Sequence, residues 1–354
     1  MAIEKINIDQ FLLLAKQFPV LDARSPGEYK HAHIPDAISF PLFTDEERKI
    51  IGTAYKQESR EQAIRIGLDY FGPKMRGMTD RASEILKEYS KDAASRTLLV
   101  HCWRGGMRSA AVAWLLDLFG FKVITLNGGY KAFRRYVLET FQLPFDIQLI
   151  GGYTGSGKTA LLQTLHDSGS EIIDLEKVAV HKGSAFGNIG MPDQPGQEMF
   201  ENLLAKELRT LKGNGPVWVE DESQRLGLVN LPNELWKTMR ASRVYFLEIP
   251  FEARLEYIVQ EYGGLNHEKL IGAISRISEK LGHLNAKNAI SELKEGKISE
   301  SFSILLKYYD KYYLRSLHNR QGINSLLQTI SSKSITSENA RLLTQKFESI
   351  LQEN

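Results

Sequence analysis

The chain has 354 residues, 42% of them hydrophobic and 25% charged, the proportions of an ordinary globular protein. Its 45 Lys and Arg nearly balance 43 Asp and Glu, so the net charge of +2 neither demands nor excludes a nucleic-acid partner. The single cysteine excludes an intramolecular disulfide and every cysteine-rich zinc or iron–sulfur centre, and no haem is expected either.

At this length two domains are expected, with room for an appendage. The opening MAIEKINIDQFLLLAKQF lacks the apolar core and cleavage signal of a secretory leader. No apolar run approaches the ~20 residues of a membrane helix. A reducing, cytoplasmic setting without a membrane partner is therefore expected. PVLDA (19–23) and AISFP (37–41) read as short strands, and TLLVHC (97–102) as a buried one. SAAVAWLLDLFG (109–120) follows as a helix stopped by Gly120, then KVITLNGG (122–129) as a strand and turn. Alternating strands and helices predict an α/β domain with a mostly parallel sheet over residues 1–140.

LETFQLPFD (138–146) carries a proline between two patterned regions and marks the boundary. IQLIGGYTGSGKTALLQTL (147–165) starts a second α/β unit, with SEIIDLE (170–176), GPVWVEDES (215–223) and SRVYFLEIP (242–250) as further strands; it spans 145–250. From 251 to 354 the pattern predicts a helical appendage with solvated charged faces.

The lone thiol lies in HCWRGGMRS (101–109). Cys102 ends a strand, and a helix begins near Ser109. Between them Trp103, Arg104, Gly105, Gly106, Met107 and Arg108 form a loop whose amides can turn inward to cradle an anion. The two glycines permit the tight turn, and the two arginines can clamp the anion's oxygens. The same field favours thiolate over thiol, giving a nucleophile for sulfur, selenium or phosphorus. A second stretch, VLDARSPGEYKHAHIPDAISFP (20–41), accompanies it.

Together these stretches resemble the rhodanese superfamily, with Asp22, Arg24, Glu28, His31, His33, Ile34, Pro35 and Ala37 in matching places. The resemblance implies that Asp22 and Arg24 brace the active loop rather than react. Sulfur-transferring rhodaneses usually have one residue fewer between Cys and Arg. The spacing here is that of the related cell-cycle phosphatases, a roomier cradle suited to a tetrahedral phosphate-type anion. With no second cysteine, whatever loads onto Cys102 must pass to an outside acceptor.

GYTGSGKT (152–159) fits the G-x-x-x-x-G-K-[ST] phosphate loop, between a strand and a helix as the motif requires. Gly152, Thr154, Gly155, Ser156 and Gly157 shape the loop and offer its amides, Lys158 neutralises a diphosphate, and the Thr159 hydroxyl can ligate Mg²⁺. Glu220 or Asp221 in VWVEDES (217–223), or Asp174, would serve the metal's water shell. No N-K-x-D motif supports GTP. The loop specifies only a diphosphate, which a nucleotide and an isoprenyl diphosphate share.

A rhodanese loop followed by a phosphate loop resembles the bacterial tRNA 2-selenouridine synthase family. FTDEERKIIGTAYKQ (43–57), CWRGGMRS, TGSGKTALL, IDLEKVAVHKGSAFG (173–187) and VEDESQRLG (219–227) follow in family order, over about residues 10 to 315. His181, Lys182, Gly183, Ser184 and Gly187 are the most distinctive segment and candidate substrate contacts, with Lys182 where the family would have Arg.

The resemblance implies two steps on a tRNA carrying wobble 2-thiouridine. Geranyl diphosphate first alkylates the sulfur; selenophosphate, delivered by a supplying enzyme as partner, then replaces the S-geranyl group with selenium. Lys158, Thr159 and Mg²⁺ would hold the leaving diphosphate, and Cys102 would take selenium as a selenyl-sulfide. Lys131, Arg134 and Arg135 in YKAFRRY (130–136) are candidate tRNA contacts, and KYYDKYYLRSLHNR (307–320) either adds contacts or packs through its tyrosines. The rival readings are an ATP-dependent rhodanese-type sulfurtransferase, a cysteine phosphatase fused to a kinase-like domain, and a nucleotide-gated adaptor.

Overall fold

The computed structural model describes residues 3–89, 96–213 and 215–333. It divides into two compact units, residues 1–140 with 201–206, and residues 141–200 with 207–354.

The first unit carries five parallel strands: β1 (Glu4–Ile6), β2 (Val20–Asp22), β3 (Ile38–Ser39), β4 (Thr97–His101) and β5 (Lys122–Leu126). Their order is β1-β5-β4-β2-β3, which puts β4 at the centre. Leu98, Leu99 and Val100 have no exposed surface, as a central parallel strand covered on both faces requires. β1 was not foreseen: EKI is short and polar, and it becomes a strand by pairing along β5 from Glu4 opposite Ile124. The helix Met107–Leu118 leaves β4 and packs Val112, Ala113 and Leu116 into the core. It ends at Gly120 (φ +94°), whose left-handed conformation lets the Phe121 amide reach back to the Leu116 carbonyl. The 43–57 stretch opens an all-helical insertion, Asp45–Gln57, Arg60–Phe71 and Met75–Tyr89; Thr44 and Glu47 cap the first helix reciprocally.

The second unit carries β6 (Ile147–Gly152), β7 (Glu171–Ile173), β8 (Val217–Glu220), a hairpin of β9 (Arg225–Leu226) and β10 (Val229–Asn230), then β11 (Arg243–Glu248) and β12 (Leu327–Ser331). The parallel sheet runs β12-β11-β6-β8-β7, so the strand feeding the phosphate loop is again central. Helices from Phe251–Tyr262 to Ile298–His318 build a core of their own around Leu270, Ile274, Ala289 and Phe302. The expectation of helix throughout from residue 251 needs one correction. Leu327–Ser331 pairs with β11 as an edge strand, Val244 opposite Leu327, so the segment returns to the sheet. Its sequence, LQTIS, is too short and mixed to announce a strand without that partner. Residues 334–354, which the helical reading also covered, lie outside the described residues. Both sheets confirm the α/β class.

Candidate active sites

In the first unit Cys102 follows β4 and Gly106 caps the helix Met107–Leu118, so the loop joins strand to helix. Gly105 (φ +62°) sits so close to the next turn that a Cβ would lie 2.6 Å from the Leu126 carbonyl oxygen. A Cβ on Gly129 would lie 2.2 Å from the Cys102 carbonyl oxygen. The NGG turn after β5 is therefore the floor of the active loop, tied to it by the Tyr130 amide on the Cys102 carbonyl at 2.8 Å.

The thiol donates to Ser109 Oγ at 3.2 Å and is only 3% exposed. The sulfur is thus covered, while the neighbouring Trp103 and Arg104 are exposed. Met107 is exposed as well, and Gly106 leaves open space around its α-carbon.

Arg108 does not clamp the cradle here. Its Nη1 donates to Glu28 Oε2 at 2.6 Å, and Arg48 lies 3.0 Å from the same oxygen. Burial resists ionisation of Glu28, but Arg108, the Ser25 amide and Arg48 outweigh it and hold the carboxyl at about 2, against an ordinary 4.5. A depressed folded-state value means this carboxylate stabilises the fold above pH 4.5, and that stabilisation is lost as the pH falls toward 2. Glu28→Gln is expected to flatten the fall of melting temperature between pH 4.5 and 2; an unchanged profile would show that the pair contributes nothing.

Asp22 and Arg24 are 0% and 1% exposed. Arg24 donates to both Asp22 oxygens and to the Ala32 carbonyl, with its guanidinium 3.8 Å from the centre of the Tyr130 ring. The pair thus holds β2 and the segment after it against Tyr130, the second residue of the helix behind the loop. Lys131 and Arg135 are exposed on that helix, Gly129–Thr140. Arg134 departs from the expected RNA contact, because within the first unit it is bound to Glu201 and to Asn202 Oδ1 at 2.5 Å.

In the second unit the phosphate loop leads into the helix Lys158–Asp167, capped by Gly157 in the left-handed conformation (φ +75°). Ser156 is buried, and a Cβ on Gly152 would lie 2.4 Å from its hydroxyl. Lys158 Nζ folds back to the Gly152 carbonyl at 3.3 Å. Arg254, unforeseen and 3% exposed, donates to the Thr154 carbonyl at 3.1 Å and pairs with Asp310, clamping the loop from behind.

Thr159 donates to Glu220 Oε1 at 2.7 Å, while Glu220 Oε2 is buried with no hydrogen-bond partner. Glu176 Oε2 lies 3.5 Å from the same hydroxyl. Burial first, then Glu222 and Asp174, push the Glu220 carboxyl up to about 8; burial, Glu220 and Glu222 push Glu176 up to about 9. Crowded carboxyls beside an orphaned oxygen fit a divalent cation. Among the described residues no three His, Cys, Asp or Glu side chains could hold one alone. Such an ion would lean on the Thr159 hydroxyl, Glu220 and a bound diphosphate, as Mg²⁺ usually does.

The other two acidic candidates have different roles. Asp174 caps the helix Leu175–Ala179 through the Lys177 amide at 2.8 Å. Asp221 accepts from Tyr313 at 2.9 Å and from Arg320 at 2.5 Å, and the Tyr313 oxygen in turn accepts the Gly152 amide at 3.2 Å. Asp221 thus links the start of the phosphate loop to the C-terminal segment.

His181 is 7% exposed, its Nδ1 has no partner, and burial pushes its pKa down. Gly187 and Gly227 press on it; a Cβ on either would come within 2.7 Å of the ring. Gly183 (φ +64°) brings the loop within reach of the acidic cluster, where a Cβ would lie 2.6 Å from Glu222 Oε2. Lys182 pairs with Glu261 at 2.5 Å, and Ser184 accepts the Phe186 amide at 3.2 Å.

Lys182, Gly183, Ser184 and Asp221 line, together with the phosphate loop, one cavity of about 800 Å³. Lys158, Thr159 and Glu176 contribute its charged and polar lining. Phe186, Ile258, Tyr262, Phe302, Leu305 and Leu306 add an apolar and aromatic wall, and Ile258 meets the loop directly, 2.8 Å from where a Cβ on Gly155 would lie. Sequence reading missed this wall and Glu176. The wall comes from three separated segments, and nothing in any one of them marks it; Glu176 stood in the quoted DLE, two residues past the candidate Asp174.

A cysteine loop of rhodanese type and a phosphate loop, each at the C-terminal end of a central parallel strand, define an enzyme that joins a rhodanese-like domain to a P-loop domain. Family models agree: the rhodanese-like domain matches residues 8–136 and the tRNA 2-selenouridine synthase AAA domain matches residues 145–271. The tRNA 2-selenouridine synthase of Nitrosomonas europaea is 31% identical, covering 89% of this chain and 94% of its own length. That of Nitrosomonas eutropha is 32% identical over 89% and 93%, and that of Bdellovibrio bacteriovorus 31% over 90% and 94%. The chain belongs to the tRNA 2-selenouridine synthase family. No helix among the described residues is long and apolar enough to cross a membrane.

Proposed function

We propose that this enzyme makes 2-selenouridine in tRNA by S-geranylation of wobble 2-thiouridine followed by replacement with selenium. The observation that carries the reading is the mixed lining of the cavity. A phosphate loop alone fits any diphosphate, but the apolar and aromatic wall in the same cavity fits a hydrocarbon chain. In the first step the sulfur attacks C1 of geranyl diphosphate, the C1–O bond breaks, and N3 of the base loses its proton. Lys158 and the loop amides bind the charge that develops on the leaving diphosphate. Mg²⁺ held by Thr159 and Glu220 would neutralise more of it.

Selenophosphate suits the cysteine loop, whose spacing favours a tetrahedral anion. Attack of Cys102 on selenium, the selenyl-sulfide route, would expel phosphorus at the phosphite level and leave selenium oxidised by two electrons. Attack on phosphorus needs no such change. It forms a Cys102 phosphate ester and releases hydrogen selenide, which adds to C2 of the base and expels geranyl thiol. Water then returns the thiol and phosphate. We therefore favour phosphorus as the target, with Ser109, 3.2 Å from the sulfur, stabilising the thiolate as it leaves.

The test is nucleoside mass spectrometry after incubation with 2-thiouridine tRNA. Geranyl diphosphate alone should give the S-geranyl nucleoside, and selenophosphate in addition should give 2-selenouridine. Neither product from folded protein would overturn the proposal. In the same preparation geranyl diphosphate should raise the melting temperature more than ATP does. The opposite order, with sulfur transfer from thiosulfate, would favour the ATP-dependent sulfurtransferase.

A further inference from the structure

Outside the diphosphate cavity lies a second depression lined by Trp236, Arg240, Tyr312, Arg315, Ser316 and Asn319. Four of these, Trp236, Arg240, Tyr312 and Ser316, also line the cavity, so the depression is its mouth. Trp236 and Arg240 stand four apart on the helix Asn233–Ala241, hence on one face, and Tyr312 and Arg315 stand three apart on Ile298–His318. Each guanidinium lies near its own helix's ring: Arg240 is 5.6 Å from the Trp236 centroid and Arg315 is 5.9 Å from that of Tyr312. Among the described residues neither arginine forms an ion pair. Burial and the neighbouring Arg320 push the Arg240 pKa down, with Asp221 opposing them in part. Tyr312 is 41% exposed, and its ring lies 4.6 Å from that of Tyr308, which continues into the cavity.

We propose that Trp236, Tyr312, Arg240 and Arg315 form the seat of the target nucleoside, the two rings stacking the unpaired base and the two guanidinium groups holding the phosphates on either side of it. The inference rests on the geranyl-transfer reading, because it places the base where its sulfur faces the bound diphosphate. Single-stranded RNA is recognised by this combination of aromatic faces and cations along the backbone. An acidic protein segment would use the cations but leave two rings at the mouth of a cavity unexplained.

The test uses the full chain and a 2-thiouridine anticodon stem-loop. Trp236→Ala and Tyr312→Ala should each weaken RNA binding about 5- to 100-fold. Arg240→Gln and Arg315→Gln should each reduce the salt slope of binding by about 1. Affinity for geranyl diphosphate, read by calorimetry, should fall far less than RNA affinity in each of the four. Trp236→Phe and Tyr312→Phe keep a ring and should recover most of the RNA affinity. Unchanged RNA affinity and salt slope in folded variants would overturn the seat. So would an equal loss of RNA and geranyl diphosphate binding, which would mean that the four residues only hold the cavity's shape. Failure of the wild type to bind geranyl diphosphate would instead remove the geranyl-transfer reading, and the RNA titrations would still judge the seat.

Discussion

Lys158→Ala should slow geranyl transfer by about 10²- to 10³-fold, and with it the formation of seleno product from 2-thiouridine tRNA. The ammonium group is placed to meet the charge left on the departing diphosphate, and nothing else at the phosphate loop supplies a full positive charge within the strand-loop-helix turn. Loss of one such stabilising group typically costs about 10²- to 10³-fold in rate. The fold should survive, since Lys158 Nζ makes one hydrogen bond, at 3.3 Å, to a loop carbonyl. The decisive control is tRNA that already carries the S-geranyl group. The variant should convert it to 2-selenouridine at the wild-type rate. Loss of that second step would show that the phosphate loop serves both reactions.

Cys102→Ser should give the complementary result. S-Geranyl tRNA should accumulate, while 2-selenouridine falls by roughly three orders of magnitude or more, the scale seen when a covalent nucleophile is removed. Serine preserves the hydrogen bond to Ser109 and the packing of a 3% exposed side chain, so the loss reports chemistry. Thiophosphate in place of selenophosphate sharpens the test on the wild type. A phosphoryl adduct on Cys102 would support attack on phosphorus, and a persulfide would favour attack on the chalcogen. Full selenation by Cys102→Ser would show that selenide reaches the base without this loop.

The two loops were legible because each is a local device. Seven residues from Cys102 to Arg108, and eight from Gly152 to Thr159, carry their own turn glycines, charge and helix start. The class of fold followed from apolar runs such as TLLVH and IQLIGG, which are buried from both sides. What escaped depended on partners far along the chain. Arg108 read as an anion clamp, but Glu28 lies 80 residues before it, and the capping box that delivers that carboxylate gives no hint of its target. Asp221 read as well as Glu220; only Arg320 and Tyr313, about 90 to 100 residues on, decide that it is a brace. β1 and β12 are edge strands whose few residues become strands only through a neighbour.

The return of the chain to β12 has a consequence for synthesis. The phosphate loop is complete as sequence by residue 159, yet the groups that brace it, Asp310, Tyr313 and Arg320, and the strand that covers β11 come about 150 to 170 residues later. At roughly 5–20 residues per second, a ribosome delivers them some 10–30 s after the loop itself. During that interval the nascent loop lacks its supports, so a diphosphate should gain a firm hold only as β12 emerges.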